Sequence, residues 1–66
     1  MNKIAGYRRM LGKSQKNMAK EFGISEQSYR LKENGKVNFK KQEMLKFRNL
    51  LRRELFPTIT VDDIFF

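Results

Sequence analysis

The sequence predicts an all-α protein, a compact bundle of four to five helices, and three observations support this. Apolar residues recur at the three- and four-residue spacings of helical faces. Small polar residues and glycines stand where such helices would begin and end. The 66 residues are enough for a single domain, residues 1–66, with a small core.

The first predicted helix covers residues 2–11. Ile4, Tyr7 and Leu11 follow the i, i+3, i+7 spacing, which places them on one helical face. Asn2 is the expected N-cap, because its side-chain oxygen can accept a hydrogen bond from a backbone N–H group of the first turn. This face is expected to pack on the core.

Residues 14–35 predict two short helices joined by a turn of roughly three residues, which is the spacing of a helix-turn-helix. The two helices are expected over residues 15–22 and about 26–32. Ser14 and Ser25 are the expected N-caps. Gly23 and Gly35 are expected to end the helices in the left-handed conformation, which glycine adopts without a Cβ clash.

The second half of the chain predicts a basic loop and a long helix. Residues 36–41 form the loop, with Phe39 docked in the core. One amphipathic stripe then marks a helix over about residues 41–55: Met44, Phe47, Leu50, Leu51 and Leu55. The arginines of this helix lie off the stripe and are expected in solvent. Pro57 ends the helix, because it disfavours helical conformation at the preceding residue.

Residues 60–66 predict a last turn of helix. Thr60 is the expected cap, and two aspartates follow in the first turn, where the helix dipole favours acids. Ile64 should face inward. Two aromatics at the end of a polar segment suggest either a plug for the core or a surface for a partner. We expect Phe65 in the core and Phe66 at an interface.

Charge is the most informative property of the composition. Fifteen Lys and Arg against seven Asp and Glu give a net charge of +8, which attracts nucleic acid or an anionic membrane surface. The sequence has no Cys and no His, so it offers no disulfide, no Cys/His zinc site and no His-based catalysis. We expect no enzyme, no metal and no cofactor. No membrane partner is expected either, because the apolar faces match one globular core. No apolar run is long enough to span a membrane and no signal peptide is evident, so a cytoplasmic protein is expected.

Four fragments carry a family likeness: Ser14-Gln15, Met18-Ala19, Phe22-Gly23-Ile24-Ser25 and Glu33-Asn34-Gly35-Lys36. Together they resemble the helix-turn-helix domain of phage Cro and repressor proteins, and the likeness covers nearly the whole chain. It implies a lambda-repressor-like fold and a sequence-specific DNA-binding transcriptional regulator, a phage or prophage switch protein acting in the bacterial cytoplasm. The sequence departs from the family at Lys13 and Lys32, where apolar residues are usual.

In this architecture the second helix of the pair lies in the major groove of DNA. The residues then expected to face base edges are Glu26, Gln27, Arg30 and Leu31. Gln27 can pair with adenine, Arg30 with guanine or a phosphate, and Leu31 can touch a thymine methyl or pack at the helix edge. Glu26 can accept from cytosine, but attraction to the helix dipole is the better role. Tyr29 points towards the core.

Contacts to the DNA backbone are predicted for a second group: Ser14, Gln15, Lys36, Asn38 and Lys40. The first two stand at a helix N-terminus, whose free N–H groups and dipole favour phosphate. An ordinary N-cap is the simpler role for Ser14, and the two roles are compatible. The other three belong to the basic loop. The resemblance implies that Gln15 also braces Gln27.

The resemblance further implies that Arg8 pairs with Glu33 and ties the first helix to the end of the recognition helix. A solvated Arg8 is the alternative. The expected partner is double-stranded operator DNA, bound by a homodimer on two half-sites. A second hypothesis is an antirepressor or modulator that uses the same fold to bind a partner repressor protein. It is motivated by the C-terminal aromatics and by the acidic Glu26 on the recognition helix.

Overall fold

The computed structural model describes residues 2–66 and shows an all-α bundle of five helices. α1 to α5 span Lys3–Met10, Gln15–Phe22, Glu26–Glu33, Lys41–Glu54 and Val61–Phe65. No strand occurs within residues 2–66. The Cα radius of gyration is 10.7 Å. The predicted all-α class is confirmed, and each predicted helix is present with its ends within one residue of the expected positions.

Side-chain caps fix where four of the helices begin. Each of these N-cap side chains accepts a hydrogen bond from the backbone N–H three residues further on: Asn2, Ser14, Ser25 and Thr60. α4 begins differently, because Lys40 precedes it without a capping side-chain bond. Glu43 supplies the missing acceptor, and its Oε1 lies 2.8 Å from the backbone nitrogen of Lys40. Local polar chemistry therefore explains the start of every helix.

The core forms where the helices bring their large side chains together. Five of these are fully buried: Met18, Tyr29, Phe47, Leu51 and Ile64. Half-buried aromatic rings pack around them, with the centroid of Phe65 5.2 Å from that of Phe39 and 5.8 Å from that of Phe47. The expected inward positions of Tyr29, Phe39 and Ile64 are confirmed. Burial of one phenylalanine contributes about 1.5–3 kcal/mol, so these rings matter greatly in a small domain.

The end of α4 differs from the prediction in two ways. Leu55 was expected to continue the apolar stripe but is 42% exposed. Its φ of −135° and ψ of −48° are not helical, so its side chain leaves the face that the stripe follows. The chain then turns back, and the carbonyl of Ile59 accepts a hydrogen bond from Nε of Arg52 at 2.7 Å. Arg52 is therefore half-buried rather than solvated as expected.

Two opposite charges lie inside the bundle, Lys32 on α3 and Glu43 on α4, and each side chain is 8% exposed. Nζ of Lys32 donates to both carboxylate oxygens, at 2.7 and 2.6 Å. Burial by itself raises the pKa of Glu43, but hydrogen bonds from Lys32 and from the backbone of Lys40 outweigh burial and hold that pKa below its ordinary value. A lysine at a core-facing position is thus accommodated by pairing.

Candidate nucleic-acid interface

α2, a three-residue turn and α3 form a helix-turn-helix. Gly23 ends α2 with a φ of +68°, in the left-handed region that favours glycine. The following N–H, that of Ile24, donates to the carbonyl of Ala19 at 3.0 Å and closes the turn. Met18 of α2 and Tyr29 of α3 belong to the same buried cluster. One face of α3 is therefore fixed against the core, and the opposite face is presented to solvent.

A buried ion pair ties the end of α3 to α1. Nε and Nη2 of Arg8 donate to the two carboxylate oxygens of Glu33 at 2.9 and 3.2 Å, and the two side chains are 11% and 3% exposed. Nη1 of Arg8 also donates to the carbonyl of Lys13 at 3.0 Å. Burial raises the pKa of Glu33, but the hydrogen bonds, chiefly from Arg8, outweigh it and leave the pKa below its ordinary value. Arg8 is thus a paired residue rather than a solvated one.

Gln15 connects this buried pair to the exposed face of α3. Its Nε2 donates to Glu33 Oε1 at 3.2 Å, and its Oε1 accepts from Nε of Arg30 at 3.0 Å. The orientation of the amide follows from its partners, because a carboxylate only accepts and a guanidinium only donates. Within residues 2–66 the predicted brace from Gln15 to Gln27 does not form. Hydrogen bonds to charged groups are stronger than bonds between neutral amides, so Gln15 bonds to Glu33 and Arg30 rather than to Gln27.

The outward face of α3 carries the residues predicted to contact bases. Gln27 and Arg30 are exposed, Leu31 is 37% exposed, and Glu26 is half-buried in the first turn. Nη2 of Arg30 donates to Glu26 Oε2 at 2.7 Å, an ion pair one helical turn apart. Glu26 therefore has a specific partner as well as a favourable position near the positive end of the helix dipole.

The loop over residues 36–40 lies directly after α3. Its exposed polar side chains are the predicted backbone contacts: Lys36, Asn38 and Lys40. Gly35 has a φ of +80°, which allows the chain to reverse at the end of the helix. The next two backbone N–H groups both donate to the carbonyl of Leu31, at 2.9 and 3.2 Å. The loop is thus anchored beside one of the exposed positions of α3.

α2 adds further charge beyond the residues predicted to contact DNA. Lys16 and Lys20 are exposed on this helix, and Ser14, its N-cap, is exposed as well. Lys13, in contrast, forms an ion pair with Glu21, in which Nζ of Lys13 lies 3.7 Å from Oε1 of Glu21. Every charged residue before Glu21, the first acid in the sequence, is a cation. This pattern could have predicted Lys16 and Lys20 as further phosphate contacts.

The hydroxyl of Tyr29 lies next to Arg8 and Glu33 but makes no hydrogen bond of normal geometry within residues 2–66. Burial, followed by the neighbouring Glu33 carboxylate, raises the pKa of Tyr29 far above its ordinary value. The phenol is therefore neutral at any physiological pH. Its contribution comes from the buried ring, which packs 5.8 Å from Phe22.

A second surface lies at the other end of α3. The C-terminal residues and the loop after α3 border a groove of about 690 Å³, whose apolar lining includes Val37, Phe39, Met44, Phe65 and Phe66. The last two residues differ sharply in environment. Phe65 packs into the aromatic cluster, whereas Phe66 is 81% exposed. The groove, whose lining also includes polar residues such as Lys3 and Asn34, is a candidate protein-binding surface apart from the charged face of α3.

The chain matches no protein-family model, no curated protein and no solved structure. Its likeness to Cro and repressor proteins is therefore a prediction that rests on the sequence motif. Within residues 2–66, no helix has the length and apolar character needed to cross a membrane. The same residues contain no group of three or more carboxylate side chains placed to hold a metal ion.

Two of the contacts at this site differ in how readily the sequence shows them. Glu26 and Arg30 are four residues apart on one helix, a spacing that predicts an ion pair. Gln15 and Arg30 are 15 residues apart, on different helices, so no local pattern predicts their bond. The turn between α2 and α3 creates that contact.

Proposed function

We propose that this protein is a sequence-specific DNA-binding transcriptional regulator that acts in the cytoplasm and places α3 in the major groove. The observation that supports the proposal best is the outward face of α3, where Gln27, Arg30 and Leu31 are accessible on a helix braced from behind by the Arg8–Glu33 pair. An α-helix fits the major groove, and these side chains suit the exposed edges of bases.

The surroundings of α3 support the same proposal. The loop after the helix offers Lys36, Asn38 and Lys40, and α2 offers Lys16 and Lys20. Exposed lysines attract phosphates and release counterions from DNA, which strengthens binding at low salt. The net charge of +8 supplies the long-range attraction. A homodimer would place two copies of α3 on half-sites about one helical turn apart.

The experiment is a selection of binding duplexes from a random DNA pool, together with gel shifts on the DNA that flanks the gene. We expect an enriched sequence and an affinity that falls steeply with salt, by roughly 10³-fold or more between 50 and 200 mM for six or more phosphate contacts. Binding without sequence enrichment would refute this function, and enrichment without a salt dependence would exclude the predicted phosphate contacts.

The exposed Phe66 and the groove that it lines support a second candidate function. In this alternative the protein is an antirepressor or modulator that binds a partner repressor through the groove. Apolar binding depends much less on salt than phosphate contact does. Pull-down by a candidate partner repressor at 0.5 M salt, abolished by Phe66→Ala and unaffected by Gln27→Ala, would favour the alternative over DNA binding.

A further inference from the structure

Arg30 is exposed, yet two neighbours hold its guanidinium group. Nε donates to Oε1 of Gln15 at 3.0 Å, and Nη2 donates to Oε2 of Glu26 at 2.7 Å. Gln15 is itself held by the buried Glu33, through a bond of 3.2 Å. The position of the exposed guanidinium is therefore set by a chain of hydrogen bonds that begins inside the protein.

The two bonds occupy one edge of the guanidinium, and this leaves another edge available. A guanidinium carries five N–H donors in a planar fork. Nε and Nη2 share the side edge, and each makes one of the two bonds, to Gln15 and Glu26 respectively. Nη1 makes no hydrogen bond to any residue from 2 to 66, and Nη2 keeps a second hydrogen. The end of the fork, formed by Nη1 and Nη2 of Arg30, can therefore donate two parallel hydrogen bonds to a planar acceptor.

We propose that Arg30 contacts a guanine through Nη1 and Nη2, and that Glu26 and Gln15 are positioning residues that hold its fork for this contact. The inference rests on the proposed DNA-binding function. Guanine presents O6 and N7 side by side in the major groove, and a bidentate arginine is the commonest specific contact to that pair. An arginine that is already held loses less side-chain freedom on binding.

The carboxylate of Glu26 argues against a phosphate as the target of Arg30. It lies 2.7 Å from Nη2 and offsets the positive charge of the guanidinium. A phosphate that approached the free edge would also be repelled by this carboxylate. The uncharged edge of a base meets no such repulsion, so the pair favours guanine over the DNA backbone. Glu26 is thus a determinant of specificity rather than a residue that merely tolerates DNA nearby.

The first test needs no DNA. The ¹⁵Nε–¹H heteronuclear NOE of Arg30 in the free protein should be high, because the side chain is held at two points. Glu26→Gln keeps the size of the side chain and removes the charge, and it should lower this NOE. Glu54→Gln is the matched control, because Glu54 forms an exposed ion pair with Arg53 on α4 and the change in net charge is the same. A wild-type Arg30 as mobile as Arg53 would overturn the positioning role.

The second test uses a duplex selected from a random pool, with its guanines replaced one at a time by 7-deazaguanine. Wild type and Glu54→Gln should lose affinity by about 5-fold or more at one guanine, the lower end for a bidentate pair. Arg30→Met should lose this sensitivity, because a thioether has no N–H group to donate to guanine N7 or O6. Glu26→Gln should lose much of the sensitivity to 7-deazaguanine, and it should bind random DNA more tightly than wild type does.

The outcomes separate the two proposals. If the wild type selects no sequence at all, DNA recognition is refuted and the role of Arg30 with it. If the wild type selects a sequence but Arg30→Met keeps the same 7-deazaguanine profile, DNA recognition stands and guanine contact by Arg30 is overturned. If Glu26→Gln keeps the wild-type profile, Glu26 does not position Arg30.

Discussion

Lys32 and Glu43 form a two-point ion pair between α3 and α4, in which Nζ lies 2.7 and 2.6 Å from the two carboxylate oxygens. Both residues are buried, and desolvation offsets much of their attraction. The pair therefore matters chiefly through what happens when one partner is lost. It links the C-terminal half of α3 to the start of the longest helix, and it spans the basic loop.

Lys32→Met should destabilise the protein by about 3–5 kcal/mol, because Glu43 would stay buried without its counter-charge. Adding Glu43→Gln should recover most of this loss, since a neutral amide can still accept the backbone N–H of Lys40. Urea unfolding followed by circular dichroism measures both variants. Lys46→Met, on the exposed side of α4, is the control and should change stability by less than about 0.5 kcal/mol. A double variant as unstable as Lys32→Met alone would assign the loss to packing rather than charge.

Stability should fall in acid because of Glu33 and Glu43, whose pKa values in the folded protein both lie below the ordinary 4.5. A carboxyl group with a lowered folded pKa contributes stability that is fully present above its unfolded pKa. That contribution is lost as pH falls through the folded pKa. Melting temperatures measured from pH 7 to pH 2 should therefore begin to fall near pH 4.5 and continue to fall below it. The Lys32→Met/Glu43→Gln variant should show a shallower fall, and an identical profile would contradict a contribution from Glu43.

Substitution by alanine should change the stability of the protein in opposite directions at two glycines, Gly35 and Gly6. Gly35→Ala should destabilise by about 1–2 kcal/mol, because its φ of +80° strains any residue with a Cβ, and Gly35→Val should be worse. Gly6 lies inside α1, and apart from its chain neighbours and the nearby helix backbone, a Cβ there would meet no atom within 4 Å. Gly6→Ala should therefore stabilise by about 0.5–1 kcal/mol. Thermal unfolding measures both, and equal effects would mean that the left-handed turn at Gly35 is misplaced.

Gln27 and Lys40 should affect DNA binding differently. Gln27→Ala should reduce discrimination at one base pair by about 1–3 kcal/mol and leave binding to random DNA nearly unchanged. Lys40→Ala should weaken binding to every sequence and lower the salt slope by about one unit. Titrations on selected and random duplexes at several salt concentrations measure both. Equal losses on the two duplexes for Gln27→Ala would exclude base recognition by this residue, and an unchanged slope for Lys40→Ala would exclude a phosphate contact.

Alanine substitutions at Phe65 and Phe66 should distinguish a role in core packing from a role in association. Phe65→Ala should lower the melting temperature at every concentration, because the ring packs against Phe39 and Phe47. Phe66→Ala should leave the dilute protein unchanged but remove any concentration dependence of melting, since this ring is 81% exposed. Unfolding scans over a hundredfold concentration range distinguish the two. A Phe66→Ala protein that still associates as wild type does would exclude this ring from an interface.

The sequence by itself determined the helices and the nature of their ends. Serines, a threonine and an asparagine cap helices through bonds to residues three positions away, and glycines end them through their own backbone freedom. The inward position of Tyr29 follows from helical phase in the same way. These features depend on neighbours within one or two turns, so a single sequence contains the information that fixes them.

Tertiary structure decided where the charged and polar side chains find partners. Lys32 meets Glu43 across 11 residues, and Gln15 meets Arg30 across 15, because the turns bring separate helices together. Which bond Gln15 makes depends on a competition between charged and neutral partners, and only their positions in space settle it. Leu55 is exposed because the chain departs from helical geometry just there. Long-range pairing of this kind has no periodicity along the chain. Residue spacing therefore predicts the helices that form the site but not the hydrogen bonds between them.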